Sequence, residues 1–320
     1  MRCVKTFATD LIALFLPILH KYQQSNRSLP PSIGIQNSPK NDQTPLLDSA
    51  KGPSYVRPPE STPLHRQSIE EFSMSDERVF IGDLTRKEFR ERMQAGTIKA
   101  AIVPTAATEQ HNEHLHMIHD TLHASYMAEM AAKNLLPHVV VATPVSIGVS
   151  EHWMEHIGTL TVRPEIFCEY VYDVCHSLVR AGVENILVLN GHGGNVKPMM
   201  RRIDEYREKL NINLRFQSYW DVYDPDLVQQ HMENGRLPGH ADEYETSTML
   251  YLAPERVQTE AIDNPAAALG TREKGEALIG PAIAGVTQLV EQMISGEEID
   301  LPTVTFMPEG KRNLVTGEAV

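Results

Sequence analysis

The sequence predicts an α/β fold in which a mainly parallel central sheet lies between two layers of helices, a three-layer α/β/α sandwich. Short, fully apolar runs at 139–142 and 186–189 are typical of strands that are buried on both faces of a parallel sheet. These runs alternate along the chain with amphipathic segments whose apolar residues repeat at helical spacing. Strands separated by helices imply right-handed crossovers, and these give a parallel sheet with helices on both faces.

The individual elements follow one another from about residue 79. Thr85 suits the N-cap of the first helix, Pro164 suits the first turn of the clearest helix, and Gly182 suits the C-cap of that helix. The predicted strands are 79–81, 99–103, 139–142, 186–189 and 214–219, and the predicted helices are 85–93, 119–134, 164–181 and 243–252, with a further charged helix after residue 195. Ligands of such sheets bind beyond the carboxyl ends of the strands, so polar segments at those ends are candidate sites.

Composition excludes several classes of function. The formal net charge is −13, whereas a nucleic-acid-binding protein needs a basic face, so no nucleic-acid partner is expected. The three cysteines, Cys3, Cys168 and Cys175, form no C-x-x-C pair and no even set, which predicts neither a disulfide framework nor a thiolate zinc site. Any metal ion must therefore be held by nitrogen and oxygen ligands.

The N-terminal quarter differs in composition from the rest. Residues 1–22 combine a basic start with an apolar run at 11–19, and we interpret them as a leader or a misassigned start. Export by a signal is the alternative, but no small-x-small cleavage site follows, which favours a cytoplasmic protein. The run is shorter than the roughly 20 residues of a membrane span. Residues 23–74 are rich in Ser, Pro, Asn and Gln and are expected to be a disordered linker or tail, which leaves 75–320 as the folded domain.

The first segment that carries chemistry follows the predicted strand at 99–103. Five of the 14 histidines fall within 109–123, and imidazole and carboxylate ligands suit Zn²⁺ or Mn²⁺. We interpret Glu109, His111 and Asp120 together as metal ligands, with Asp120 returning to the site from the start of the next helix. The remaining histidines of this segment are expected to lie in a polar, solvated loop: His114, His116, His119 and His123.

Two further segments lie at strand or helix ends. The glycine-rich loop at 190–195 places His192 after a strand as a candidate ligand, and the amides of Gly193 and Gly194 can steady an anion or an oxyanion. His240 stands just before a predicted helix and is free to handle protons, while Glu245 lies one turn inside that helix and can reach a cation.

Two side chains are candidate substrate-binding residues, in addition to Gly193 and Gly194, and each has a simpler alternative. Glu243 opens the same predicted helix as Glu245, where a solvated acid interacting with the helix dipole is the competing interpretation. Trp153 lies in a loop rich in His and Gly, and core packing explains a tryptophan there equally well.

Three motifs in this order resemble the creatininase (creatinine amidohydrolase) family. They are Glu109-Gln110-His111 with Asp120, the glycine-rich loop at 190–195, and His240 with Glu245-Thr246-Ser247. The resemblance runs from about residue 79 to the C-terminus. It implies an α/β/α fold, two divalent metal ions per chain (Zn²⁺ and/or Mn²⁺), and hydrolysis of a C–N bond in a small, non-peptide, often cyclic amide. It also implies a homo-oligomer, which is a hexamer in creatininase itself.

The resemblance implies a role for each matching residue. Glu109 and His192 would bind one ion, His111 the other, Asp120 would bridge the two, and His240 would be the catalytic histidine. Creatininase has a ligand glutamate where this chain has Gly194, and we expect Glu245 to complete the site instead. Arg236 stands where creatininase has a tryptophan before the catalytic histidine, so creatinine is not the expected substrate.

The sequence leaves two other functions open. A mononuclear metal hydrolase or deaminase could use Glu109, His111 and His192 alone, and it would bind one ion per chain with full activity. A non-catalytic, metal-containing binding protein would exchange its metal slowly and hydrolyse no amide. A Ser-His-Asp hydrolase has no support, because the sequence contains no G-x-S-x-G motif.

Overall fold

The computed structural model describes residues 77–297, so the predicted leader (1–22) and linker (23–74) lie outside the described residues, and the predicted domain boundaries stay a prediction. Four strands form one sheet: β1 (Ala100–Thr105), β2 (Val139–Val141), β3 (Asn185–Asn190) and β4 (Asn213–Ser218). Their order is β2-β1-β3-β4, and every pair of neighbours is parallel. The mainly parallel sheet expected from the apolar runs is thus confirmed.

Eight α-helices accompany these strands within the described part of the chain. They are α1 (Arg86–Gln94), α2 (His119–Asn134), α3 (Pro164–Arg180), α4 (Gly193–Met200), α5 (Ile203–Leu210), α6 (Pro225–His231), α7 (Glu243–Leu252) and α8 (Arg272–Ser295). Short 3-10 turns lie at Ile81–Asp83, Glu151–Trp153, Tyr219–Val222, Pro254–Arg256, Thr259–Ala261 and Ala267–Leu269. Thr85 caps α1 as predicted, within a capping box formed with Glu88.

The sheet separates two hydrophobic cores, and alternate residues of β1 face each of them. Ala100 and Ile102 pack with residues of α2, α7 and α8, whereas Ala101 and Val103 pack with residues of α3, α4 and α5. This alternation follows from the period of two along a strand. The arrangement is the predicted three-layer sandwich.

Three elements differ from the sequence expectation, and one of them is the helix α6 (Pro225–His231), which was not predicted. The predicted strand at 79–81 is wrong, because Phe80 makes a single bridge to Val141 and the chain then enters a 3-10 turn. The C-terminal helix α8 was not predicted. It is long and apolar enough by length and composition to cross a membrane, yet Leu278, Val286 and Val290 lie in the core of the domain. A core helix of a folded domain explains this composition.

The parallel arrangement brings the polar segments to one edge. β1 ends at Thr105 and β3 at Asn190, and these two strands are neighbours in register, with Thr105 opposite Asn190. The segments that carry Glu109 and His192 therefore leave the sheet side by side.

Candidate metal centre

The five predicted metal ligands converge at this edge of the sheet. Their side chains are buried, none more than 4% exposed, and they come from four separate places along the chain: Glu109, His111, Asp120, His192 and Glu245. Charged groups are almost never buried in this way unless they are paired or bind a cation. These five side chains thus form a buried cluster, and their role as metal ligands stays a prediction.

Asp120, in the first turn of α2, lies between the two histidines. Its Oδ1 is 3.0 Å from Nε2 of His111, and its Oδ2 is 3.1 Å from Nδ1 of His192. One carboxylate thus contacts two separate groups of candidate ligands, one through each oxygen. This is the geometry that a bridging ligand requires.

Each side of Asp120 has its own group of donor atoms. On the His111 side, His111, His119, Asp120 and Glu245 offer ligand atoms that all lie within 4.8 Å of one another. On the His192 side, Nδ1 of His192 is 3.3 Å from Oε1 of Glu109. His152 joins this second group, again with all ligand atoms within 4.8 Å.

The backbone fixes which nitrogen of each histidine enters the site. His111 Nδ1 lies 3.1 Å from the carbonyl oxygen of Glu109, and His192 Nε2 lies 3.0 Å from that of Val149. A carbonyl can only accept, so each of these nitrogens carries a proton and the other nitrogen points at the carboxylates. This is the pattern in which a histidine ligand donates its outer N–H and binds a cation with its inner nitrogen.

The unsatisfied atoms of the cluster agree with a cation between them. Within the described residues, Glu109 Oε2 is buried without a hydrogen-bond partner, and the close polar contacts of His111 Nε2 and Asp120 Oδ2 are with other members of the cluster. Leaving such atoms unsatisfied is costly, and a cation bound among them would remove that cost. The residues present therefore fit a site for divalent cations with nitrogen and oxygen ligands.

The histidines and carboxylates of the cluster strongly shift one another's pKa values. Burial by itself lowers the pKa of His111 and His192, but the carboxylates outweigh it, Asp120 foremost, and raise the two pKa values to about 9 and about 10. Burial by itself raises the pKa of Asp120 and Glu245, yet the neighbouring histidines hold both below their ordinary range. Without a metal ion, protons on the histidines thus balance the carboxylates.

His240 lies at the mouth of this cluster and is partly exposed. Its Nδ1 is 3.6 Å from Oε1 of Glu109, and its ring stacks on Trp153 with 4.4 Å between the ring centroids. Its Nε2 is 2.7 Å from Nε2 of Gln110, whose Oε1 accepts the backbone N–H of Asn112. The Gln110 amide nitrogen can only donate, so Nε2 of His240 accepts and the ring proton lies on Nδ1. Burial lowers the pKa of His240.

The cluster opens into a cavity of about 600 Å³. This volume is in the range of small-molecule sites. Its walls combine ligand candidates with aromatic and polar residues, namely Glu109, Asp120, His152, Trp153, His192, Gly193, Gly194, Trp220, Arg236, His240 and Glu245. The predicted substrate-binding residues Trp153, Gly193 and Gly194 thus line the cavity.

The atoms that surround Gly194 leave no room for a side chain at that position. A Cβ there would lie 2.0 Å from the carbonyl oxygen of Val149 and 2.5 Å from Nε2 of His192. A glutamate at 194 would force the loop apart, so a ligand cannot come from this position in this backbone. Glu245 stands close to the other group instead, with Oε2 3.7 Å from Nε2 of His111.

Glu243 is placed differently from the expectation. It is fully buried and does not line the cavity, and its carboxylate accepts the backbone N–H groups of Glu233 and Asn234 and pairs with Lys274 of α8. The structure therefore corrects both interpretations of Glu243, the substrate contact and the solvated acid. Through these contacts, the Glu243 carboxylate connects the segment before His240 to the C-terminal helix α8.

The expectation of solvated histidines is also wrong for three of the four. His114, His119 and His123 are buried, with at most 1% of each exposed, and only His116 is partly exposed. For His119 and His123 the cause is that α2 begins inside the site, so its first turns face the protein interior on several sides. His114 precedes this helix, and its Nε2 lies 2.9 Å from Oγ1 of Thr246. Sequence reasoning also missed Gln110, although its position inside the Glu109-Gln110-His111 motif was a usable signal.

Comparison with known proteins agrees with this geometry. The family model described as creatinine amidohydrolase matches residues 82–293. The chain belongs to the creatininase family. It is 27% identical over 255 residues to the creatinine amidohydrolase of Pseudomonas putida, covering 67% of this chain and 96% of that protein. It is 30% identical over 192 residues to the 3-dehydro-scyllo-inosose hydrolase of Thermotoga maritima, covering 58% of this chain and 60% of that protein.

Solved structures of creatininase share the fold and carry metals in their titles. The structure titled creatininase Mn superposes with a TM-score of 0.61 at 26% identity, covering 68% of this chain and 99% of that one. A mutant creatininase of the Zn–Zn type superposes with a TM-score of 0.62 at 26% identity, covering 68% of this chain and 98% of that one. The creatininase-family fold is thus established for this chain, together with a cluster of candidate metal-binding residues.

Proposed function

We propose that this protein is a metal-dependent amidohydrolase that cleaves a C–N bond of a small, non-peptide amide with two divalent ions, Zn²⁺ and/or Mn²⁺. The observation that carries the proposal is the Asp120 carboxylate, which contacts His111 with one oxygen and His192 with the other. A carboxylate in that position could hold two cations, one with each oxygen. A mononuclear site would need only one of its oxygens.

Two divalent cations held there would lower the pKa of a water molecule and polarise a substrate carbonyl. The chain supplies the rest. The Gln110 amide holds the proton of His240 on Nδ1, on the side of the ligand cluster, where it is in position to protonate the departing nitrogen. The stacked Trp153 ring fixes the plane of the imidazole and covers it from solvent. Gly193 has open space at its Cβ position, so its backbone can approach a bound molecule closely.

The substrate is expected to differ from creatinine. Arg236 and Trp220 both line the cavity, and Arg236 stands where the creatininase resemblance places a tryptophan. A guanidinium in that position adds a positive charge to the wall of the cavity. The relative that acts on 3-dehydro-scyllo-inosose also shows that proteins similar to this chain are not restricted to creatinine.

We also propose a homo-oligomer. The large hydrophobic residues that are exposed in the described part of the chain all lie between 147 and 170: Ile147, Met154, Ile157, Leu160, Ile166 and Tyr170. Exposed hydrophobic residues that cluster in one segment of the chain are more typical of a protein–protein interface than of ordinary surface, where such residues are scattered. Light scattering after size-exclusion chromatography would test this, and a monomer at micromolar concentration would contradict it.

The test of the activity begins with metal content. Protein freed of metal with a chelator is loaded with Zn²⁺ or Mn²⁺, the bound ions are counted, and a panel of cyclic ureas, lactams, formamides and short peptides is screened for amine release. We expect two ions per chain and hydrolysis of at least one non-peptide amide. One ion with full activity would favour the mononuclear hydrolase, and two ions without hydrolysis of any amide would favour the binding protein.

A further inference from the structure

His119 occupies a place in the site that the two-ion arrangement above does not use. It is the first residue of α2, next to Asp120, and its side chain is 1% exposed. Its Nε2 lies 3.5 Å from Oε1 of Glu245, and its ring centroid is 4.8 Å from that of His111. Two different protein groups thus already surround this imidazole on the side of the cluster.

We propose that His119 is a fourth protein ligand of the ion held by His111, Asp120 and Glu245, which makes that site a closed, four-coordinate N₂O₂ site. The proposal rests on the two-ion function proposed above. Its consequence is that this ion has no free position for substrate. The ion beside Glu109 and His192 is then the one that meets the substrate.

The spacing of the donor atoms supports four-coordination. Ligand atoms about 2.1 Å from a tetrahedral ion lie about 3.4 Å from one another. His111 Nε2 lies 3.0 Å from Asp120 Oδ1 and 3.7 Å from Glu245 Oε2, and His119 Nε2 lies 3.5 Å from the other oxygen of Glu245, Oε1. One donor atom from each of the four residues lies within 4.8 Å of all the others. The three distances bracket the tetrahedral spacing, and the set of two imidazoles and two carboxylates is one that zinc accepts.

The unsatisfied nitrogens of His119 point the same way. Neither Nδ1 nor Nε2 has a hydrogen-bond partner within residues 77–297, although both are buried. His111 and His192 differ in this respect, because each has one nitrogen on a backbone carbonyl. A buried imidazole whose closest polar contact is the 3.5 Å approach to Glu245 is poorly satisfied, and an ion among its three neighbours would use Nε2.

His123 shows that burial alone does not make a ligand. It lies one turn further along α2, is fully buried, and also has no hydrogen-bond partner for either nitrogen. Its ring packs edge-on against Tyr219 at 4.3 Å, and it belongs to none of the groups of converging ligand atoms in the described residues. His123 is therefore a matched control on the same helix.

The two sides of Asp120 also differ in access. Glu109, His152 and His192 all line the cavity, whereas in the other group Glu245 lines it but His111 and His119 do not. His152, in the group of Glu109 and His192, is itself an exposed residue. The difference agrees with one ion enclosed by the protein and one ion that faces the cavity.

The test compares His119→Leu with His123→Leu, two substitutions of equal size on one helix. Metal-free protein is titrated with Zn²⁺ against a chromophoric chelator, and Co²⁺-loaded protein is examined by visible absorption, whose intensity reports four-coordination. We expect wild type and His123→Leu to bind two ions alike. We expect His119→Leu to bind one ion at least about 100-fold more weakly, since even an outer hydrogen-bond partner is worth 10–100-fold, and to lose the intense Co²⁺ bands.

A third variant, His119→Gln, keeps an N–H donor that can reach Glu245 but is a poor ligand. If His119→Gln binds two ions like wild type, His119 only positions Glu245 and the proposal is wrong. Equal Zn²⁺ affinities in His119→Leu and wild type would overturn it as well. If wild type itself binds no pair of ions, the proposed function fails before His119 is tested.

Discussion

The substitution Asp120→Asn tests the proposal that Asp120 bridges two metal ions, because it removes one charge and keeps the shape of the side chain. The carboxylate lies 3.0 Å from His111 and 3.1 Å from His192. At an effective dielectric constant of about 20, a unit charge at this distance contributes about 5 kcal/mol with each partner. Measured costs of removing one member of a buried charge pair are about 3–5 kcal/mol. We therefore expect each ion to bind more than about 100-fold more weakly.

The assay counts zinc in protein that has passed a desalting column, and it measures both dissociation constants by competition with a chelator. The control is Asp221→Asn. Burial raises the pKa of Asp221 to about 7, the Gln217 amide donates to its Oδ2, and no group of converging ligand atoms in the described residues contains it. We expect two ions in wild type and in the control, and neither ion after desalting in Asp120→Asn.

The result that would refute this reasoning is specific. If Asp120→Asn kept one ion at wild-type affinity, Asp120 would be an ordinary ligand of a single metal ion. If it kept both ions, the contacts with the two histidines would be unrelated to metal binding. In either case the proposal of a bridged pair would have to be abandoned.

Three further outcomes are expected. His240→Gln should lower kcat by about 10²–10⁴-fold while two ions remain bound, measured by turnover and metal content on one sample. The metal-free protein should lose stability progressively as the pH rises from about 6.5 to about 10, because folding raises the pKa of His111 and His192 from the ordinary 6.5 to about 9 and about 10. Thermal unfolding with a chelator across pH 5–11 would show this loss, and an unchanged melting temperature from pH 7 to 10 would contradict it. Lys274→Met should destabilise the protein by about 3–5 kcal/mol, because it leaves the fully buried Glu243 without its cation, and chemical denaturation measures the loss.

Much of the fold follows from local pattern in the sequence. The helices at 119–134 and 243–252 begin and end where they were predicted. The run at 79–81 fails as a strand for a physical reason. A short apolar run can pack as an isolated bridge, and only the neighbouring strand decides how many residues pair.

The C-terminal helix α8 shows a second reason why local sequence pattern does not predict every element. It contains Gly275, Gly280, Pro281 and Gly285, which weaken any prediction of a helix. In the structure, a Cβ at Gly275 would lie 2.1 Å from the carbonyl oxygen of Ser247, and one at Gly285 would lie 2.8 Å from Val222. These glycines permit close packing against neighbouring elements, which is tertiary information that a local pattern does not contain.

Residues were assigned to the candidate site when both their type and their position at a strand or helix end indicated it. Residues whose location depends only on tertiary packing were missed. Glu109, His111, Asp120, His192 and Glu245 all reach the cluster from strand or helix ends. His119 was expected to lie in a polar, solvated loop, because histidines in loops are often solvated. Here the start of α2 is enclosed by α7 and the strand-end loops, so neighbouring residues face the same interior.

The order of the ligands along the chain has a consequence for synthesis. Glu109, His111 and Asp120 leave the ribosome well before His192, and Glu245 follows only after three more helices and the last strand. A growing or truncated chain that ends before α7 would offer an ion an incomplete set of donors. An ion bound by the completely folded protein would link segments that are far apart in sequence. Such an ion would act as a cross-link that can form only after all of these segments have been synthesised.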